Sequence, residues 1–171
     1  MQPLRAGLAL AILISAPALA QDDGLVKTAR AMMASADATD IGTLVLNATP
    51  AGVMIQGELH GLPPGTHGFH VHETGTCEPP FASAGGHFNP DAAEHGFLPE
   101  AGPHAGDMTN VIVGQDGAVA VELLDSFLTL GTDLFDDDGA AIVIHAMPDD
   151  YASQPSGNAG DRIACGVIEP D

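Results

Sequence analysis

Histidines are concentrated in one stretch of this chain, where six of the eight lie between His67 and Asp107. In order they are His67, His70, His72, His87, His95 and His104, with Asp107 closing the stretch. Imidazole and carboxylate groups are the side chains that most often bind transition metals in proteins. Their density here predicts a metal centre.

Two of these histidines, His70 and His72, lie in a short alternation of apolar and polar residues. In a strand, residues i and i+2 point to the same face, so the two imidazoles are expected to face one point in space. His145 ends the apolar run 140–144, and the fold could bring it beside them.

The other ligand candidates lie in a segment rich in glycine and proline, which predicts a loop rather than a helix or strand. A loop of this length inside a compact domain is usually either functional or disordered, and metal binding would hold it in place. His95, His104 and Asp107 with one more histidine suit tetrahedral zinc, whereas a set made only of imidazoles suits copper.

The elements that must position these ligands are predicted to be short strands. The expected strands are 42–47, 52–59, 67–73, 108–113, 119–124, 140–145 and 163–168. Turn signals such as Thr49-Pro50-Ala51 and Gln115-Asp116-Gly117 separate them, and no long amphipathic helix is evident. This pattern predicts an all-β sandwich or barrel. Residues 21–40 are weakly patterned and by propensity alone could be helical.

The N-terminus has the features of a secretory signal peptide. One arginine in residues 1–5 precedes an apolar run at 6–14 and the small residues Ala18-Leu19-Ala20. We therefore expect residues 1–20 to be a signal peptide and 21–171 to be one exported, soluble domain. The apolar run is too short to span a bilayer.

The charge is strongly acidic, since 23 carboxylates stand against four Lys and Arg residues and give a net charge of −19. Nucleic acids and anionic membranes would be repelled, so neither is expected as a partner. The two cysteines, Cys77 and Cys165, allow one intramolecular disulfide in an oxidising compartment. Free thiols or thiolate ligands for zinc are the alternatives.

Four motifs together resemble the copper/zinc superoxide dismutases of the exported bacterial kind. They are Gly68-Phe69-His70-Val71-His72-Glu73, Gly86-His87-Phe88-Asn89-Pro90, Val143-Ile144-His145 and the segment 157–168, and the resemblance extends over about residues 26–168. It implies a Greek-key β-barrel or immunoglobulin-like sandwich of about eight antiparallel strands, with long metal-binding and electrostatic loops. It also implies a first edge strand at residues 28–34, a Cys77–Cys165 disulfide, a periplasmic or secreted location, and a monomer or homodimer.

The resemblance further implies one copper and one zinc per subunit. The copper ligands would be His70, His72, His87 and His145, and the zinc ligands would be His87, His95, His104 and Asp107. His87 would bridge the two metals, and the substrate would be superoxide, converted to O₂ and H₂O₂.

Two further residues take roles from the resemblance. Arg162 would attract the anion to copper, which suits a planar cation. Asp149 would hydrogen-bond one ligand of each metal, although Asp150 beside it is an alternative. His60 and His67 are expected to lie outside the ligand set.

One departure from the family concerns charge, because the segment 148–161 contains no lysine. Long-range attraction of superoxide is therefore expected to be weak. Two rival interpretations remain open at this point. One is a copper- and zinc-binding module without turnover, and the other is a structural sandwich domain with zinc only.

Overall fold

The computed structural model describes residues 26–171; the expected signal peptide lies outside these residues. Nine strands account for the regular structure: β1 (Thr28–Ser35), β2 (Asp40–Thr49), β3 (Gly52–Leu59), β4 (Gly65–His67), β5 (Phe69–His72), β6 (Val111–Val113), β7 (Val119–Asp125), β8 (Ala141–His145) and β9 (Arg162–Pro170). A single 3₁₀ turn at Ala82–Ala84 is the only helical element in this part of the chain. No helix within residues 26–171 is long and apolar enough to cross a membrane.

The strands form two antiparallel sheets around one core. The large sheet has the order β5-β8-β9-β1-β2-β3-β7, and β4 pairs with β6. Apolar residues from both sheets meet in a single cluster, including Phe69 of β5, Leu44 of β2 and Val111 of β6. The large sheet therefore curls around the core, which confirms the expected all-β Greek-key fold.

The weakly patterned region after residue 25 forms strand β1. Ala29, Ala31 and Met33 are buried while Arg30 and Met32 are exposed, which is the period-two pattern of a strand. The alternative of a helix is therefore wrong. The expected position at an edge is also wrong, because β1 pairs with β2 on one side and β9 on the other. Strand β1 is therefore an interior strand of the large sheet.

The expected single strand 67–73 is divided at Gly68. β4 pairs with β6, whereas β5 pairs with β8 in the other sheet. Gly68 donates its N–H to Met147 O at 2.8 Å and accepts from His145 N at 2.9 Å. A Cβ at this position would lie 2.8 Å from the Ala159 Cβ, so only glycine fits where the two sheets meet. This division explains nine strands instead of about eight.

Cys77 and Cys165 form the expected disulfide, which joins the loop after β5 to the middle of β9. No cysteine is free, so the alternatives of free thiols or thiolate ligands do not apply. Cys165 packs with Phe81, Ala84 and Val143 in a small second cluster on the other side of the sheet. The sheet is therefore buried on both faces where it carries the histidines.

Candidate metal centre

Strand β5 places His70 and His72 on one face and Phe69 and Val71 on the other. The two apolar side chains belong to the main core. Both histidines are also buried, because the loop after β5 covers their face. His145 reaches the same place from the end of β8, where the register shifts between Ile144 and His145.

Each of these three rings has one nitrogen held by an acceptor. His70 Nε2 lies 2.7 Å from Asp149 Oδ2, His72 Nδ1 lies 3.0 Å from Gly85 O, and His145 Nδ1 lies 3.2 Å from Gly160 O. These contacts fix the proton on that nitrogen and leave the lone pair on the other.

The remaining nitrogens of the three rings converge. His72 Nε2 and His145 Nε2 lie 3.3 Å apart, although each carries a lone pair when its Nδ1 holds the proton. His70 Nδ1 is buried and has no hydrogen-bond partner. Lone pairs that face one another in a buried site are stabilised by a cation placed between them.

A second cluster forms around Asp107. Its Oδ1 atom lies 2.8 Å from His87 Nδ1, 3.0 Å from His95 Nδ1 and 3.3 Å from His104 Nδ1. Donor atoms around tetrahedral zinc with bonds of about 2.0 Å are separated by about 3.3 Å. Three nitrogens and one oxygen at these distances therefore fit a zinc ion.

His87 belongs to both clusters. Its Nδ1 atom faces Asp107, while its Nε2 atom is buried without a partner. Its ring stacks on that of His70, with centroids 3.9 Å apart. In each set of four residues, the candidate ligand atoms lie within 4.8 Å of one another. The all-imidazole set suits copper, and the set with a carboxylate suits zinc.

Burial keeps His70, His72 and His145 neutral. It lowers the pKa of His70 to about 4, of His72 to about 2 and of His145 to about 3. A neutral imidazole is the form that binds a metal, so no proton has to be displaced from these rings near pH 7.

His95 in the second cluster behaves differently because its ring contacts two carboxylates, Asp107 and Asp149. Burial alone would lower the pKa of His95, but hydrogen bonds to Asp107 and Asp149 outweigh it and raise the pKa to about 9. Burial alone would raise the pKa of Asp107, yet hydrogen bonds from His87 and His95 hold it well below its ordinary value. Several ring nitrogens surround the Asp107 carboxylate, and a cation would take the position between them.

Asp149 connects the two clusters. Its Oδ2 atom accepts from His70 and its Oδ1 atom lies 3.1 Å from His95 Nε2. Asp150, the alternative, is exposed and accepts from the backbone N–H groups of Ala152 and Ser153. The geometry therefore favours Asp149.

Arg162 lines a cleft of about 510 Å³ together with His72, His87 and His145. Its guanidinium donates to Phe81 O and Gly85 O, each at 2.6 Å. Among the described residues lining this cleft, Arg162 is the only lysine or arginine, and Glu73 is the only carboxylate. One fixed cation therefore stands beside the candidate copper ligands.

The two remaining histidines lie outside the clusters, as expected. His60 is exposed just beyond the end of β3. His67 is buried, with Nδ1 2.7 Å from His145 O and Nε2 2.8 Å from Pro63 O. His67 therefore ties the backbone of a ligand candidate to the turn before β4.

Sequence reasoning assigned no role to Glu73 and Asn110, which fix the backbone of the site. Glu73 Oε1 accepts from Gly86 N at 2.8 Å, next to His87. Asn110 accepts from Asp149 N at 2.8 Å and donates to Asp149 O at 2.9 Å. For Glu73 the only sequence signal is its position next to His72. For Asn110 there is none, because its contacts with Asp149 span 39 positions and leave no local pattern.

Comparison with known proteins gives a consistent result. The family model for copper/zinc superoxide dismutase (SODC) matches residues 40–168. "Superoxide dismutase [Cu-Zn] 2" of Aquifex aeolicus is 45% identical over 174 residues, which cover 98% of this chain and 99% of the relative.

Two solved structures share the fold. A SOD-like protein from Bacillus subtilis superimposes with a TM-score of 0.77 at 38% identity, over 81% of this chain and 96% of the other. The Cu/Zn superoxide dismutase from Brucella abortus superimposes with a TM-score of 0.70 at 29% identity, over 83% of this chain and 99% of the other. The chain therefore belongs to the copper/zinc superoxide dismutase family, and it is an enzyme that binds copper and zinc and converts superoxide to O₂ and H₂O₂.

Proposed function

We propose that this dismutase holds copper with His70, His72, His87 and His145, and holds zinc with His87, His95, His104 and Asp107. The observation that carries this assignment is the position of His87, whose two ring nitrogens face the two clusters. Bound copper would supply one-electron redox chemistry, and bound zinc would supply a fixed positive charge.

The protein's own residues would then prepare the site for a small anion. When its Nε2 atom is not bound to copper, His87 can hold a proton there, because this buried atom has no other partner. This proton is one of the two required to turn superoxide and an electron into H₂O₂. Asp149 orients one ring of each set, because it accepts from both His70 and His95.

Arg162 is the residue we assign to substrate attraction. Its two hydrogen bonds to backbone carbonyls hold the guanidinium at the cleft wall. A planar cation in a fixed orientation can pair with a diatomic anion without losing further rotamer freedom. Gly85 O, which accepts from Arg162, also accepts from His72 Nδ1, so the cation and a copper ligand share one support.

The rival interpretation of metal storage without turnover is less well supported. Storage requires neither an open cleft nor a cation beside the copper ligands. The zinc-only alternative leaves His145 and the unpartnered His70 Nδ1 without an explanation.

We propose further that the enzyme is exported to the periplasm and protects the cell envelope from superoxide. The disulfide supports this location, because disulfides persist in oxidising compartments. Cell fractionation with an antibody against the chain tests it, and recovery in the cytoplasmic fraction would contradict it.

The residue roles are tested by pulse radiolysis on the copper- and zinc-loaded chain with Arg162→Ala. Arg30→Ala is the matched control, since it removes the same charge from an exposed ion pair with Asp171. We expect the second-order rate constant to fall about tenfold in Arg162→Ala and to stay within about twofold in Arg30→Ala. Equal effects in both variants would contradict the role of Arg162. Full metal content without superoxide removal in the wild type would favour the storage module.

A further inference from the structure

Gln154 lies in the segment between Asp149 and β9, and its side chain faces the backbone of His95. His95 N donates to Gln154 Oε1 at 2.8 Å, and Gln154 Nε2 donates to His95 O at 2.9 Å. A carboxamide has the same donor and acceptor as a peptide group, so it can pair with a backbone as a neighbouring strand would. Gln154 therefore holds both the N–H and the C=O group of His95, and we call this pair of hydrogen bonds the clamp.

The orientation of this carboxamide is determined by its neighbours. Nε2 also donates to Ala152 O at 3.2 Å, so both of its hydrogens have acceptors, while Oε1 faces an N–H group. A flipped amide would place oxygen against two carbonyl oxygens. Glutamate would keep the acceptor but lose the donor, and alanine would lose both.

The clamp completes the fixation of His95. The ring is held through Nδ1 by Asp107 and through Nε2 by Asp149, but both contacts fix only its edges. The pair with Gln154 fixes the backbone from which that ring extends. Leu98 N adds a bond to Tyr151 O at 3.1 Å, so the two loops are joined at two places.

The same segment forms a wall of the cleft. Pro155 and Ser156, the two residues after Gln154, line it together with Arg162. Gln154 thus connects the backbone of His95 to a segment that lines the cleft. Its contacts with His95 span 59 positions in the sequence, so the two loops are connected only by tertiary structure.

We propose that Gln154 is a positioning residue, which holds His95 in the orientation needed to retain zinc and thereby joins the zinc site to the cleft wall. This inference rests on the proposed assignment of His95 to zinc. Partners that orient metal ligands typically change metal affinity by about 10- to 100-fold when they are removed. Because Gln154 is exposed at the surface, the lower end of this range is expected.

The experiment measures zinc release from the copper- and zinc-loaded chain to a chromogenic chelator. Gln154→Ala and Gln154→Glu are compared with Ser153→Ala, which removes a hydrogen bond to Asp150 in the same loop without touching His95. The visible spectrum of cobalt(II) placed in the zinc site gives a second readout, because its bands report the ligand geometry directly. Urea unfolding of the metal-free variants controls for a general loss of stability.

We expect both Gln154 variants to release zinc about tenfold faster and to shift the cobalt bands, while Ser153→Ala stays within about twofold of the wild type. If Gln154→Glu alone behaved like the wild type, this would overturn the claim that both hydrogen bonds of the clamp are needed. Equal acceleration in all three variants would overturn a specific role for Gln154. If the wild-type chain bound no zinc, both the ligand assignment and this inference would be contradicted. If the wild type bound zinc and Gln154→Ala released it at the same rate as the wild type, only this inference would be contradicted.

Discussion

His145 and Arg162 are cross-strand partners at the end of the β8–β9 pair, beside the register shift that follows Ile144. Their separation is therefore set by a strand pairing, which is stiffer than a loop. The site combines this pair, which the sheet positions, with candidate ligands on loops, which the disulfide and side-chain hydrogen bonds hold in place.

Replacement of Asp149 by asparagine should weaken the binding of at least one metal. An asparagine offers one acceptor oxygen where the carboxylate offers two, so the hydrogen bond to either His70 or His95 is lost. We expect affinity for at least one metal to fall about 10- to 100-fold, as measured by competition with chelators. Asp150→Asn is the matched control and should leave both affinities unchanged, because Asp150 touches neither ring.

Loss of the disulfide should destabilise the chain by about 3 to 5 kcal/mol. Cys77 and Cys165 are 88 residues apart, and cross-linking so long a loop restricts the unfolded chain strongly. Urea unfolding of the Cys77→Ser/Cys165→Ser variant, compared with the oxidised wild type, measures the difference. An unchanged free energy of unfolding would mean that the loop is held by its packing around Phe81 alone.

Ionisation of Asp125 should lower the free energy of unfolding as the pH rises from about 4 to 6. Burial raises the pKa of Asp125 to about 6, and its Oδ2 atom has no partner. In the unfolded chain the group ionises near pH 4, so between these values the unfolded state holds fewer protons and is favoured by rising pH. Two pH units correspond to about 3 kcal/mol.

The measurement is urea unfolding of metal-free wild type and Asp125→Asn between pH 3.5 and about 7.5, a range chosen to span both pKa values. Asparagine keeps the acceptor for the N–H groups of Phe127 and Leu128 but cannot ionise. The variant should therefore gain stability relative to the wild type as the pH rises. Parallel curves would show that the Asp125 carboxylate ionises normally in the folded chain.

Salt should leave the rate of superoxide removal flat or raise it. The net charge of −19 repels the anion at long range, while Arg162 attracts it only near the cleft. Raising the ionic strength from about 0.01 to 0.15 M shortens the Debye length from about 30 to 8 Å, which screens the distant carboxylates first. Rate constants measured across this range test the balance, and a steep fall would mean that local positive charge dominates.

Much of the fold could be predicted from local pattern. Alternation predicted β2 and β3, a turn signal before Val119 predicted β7, and the apolar runs predicted β8 and β9, because strands and turns leave local patterns in the sequence. Pattern could not place β1 between β2 and β9, nor divide the histidine strand at Gly68. Both depend on which strands become neighbours, and strand pairing between distant segments has no local signal.

The sequence by itself determined the chemistry of the site. Residue types and spacing predicted a metal centre with most of its ligand candidates, because a metal centre demands particular donor atoms. The resemblance to a known family completed the two sets and gave them roles. Only the tertiary structure decided that His87 faces both sets and that Asp149 rather than Asp150 joins them. It also brought Gln154 against the backbone of His95. These contacts join residues far apart in the chain, so they exist only once the sheet has curled and the loops have folded over it.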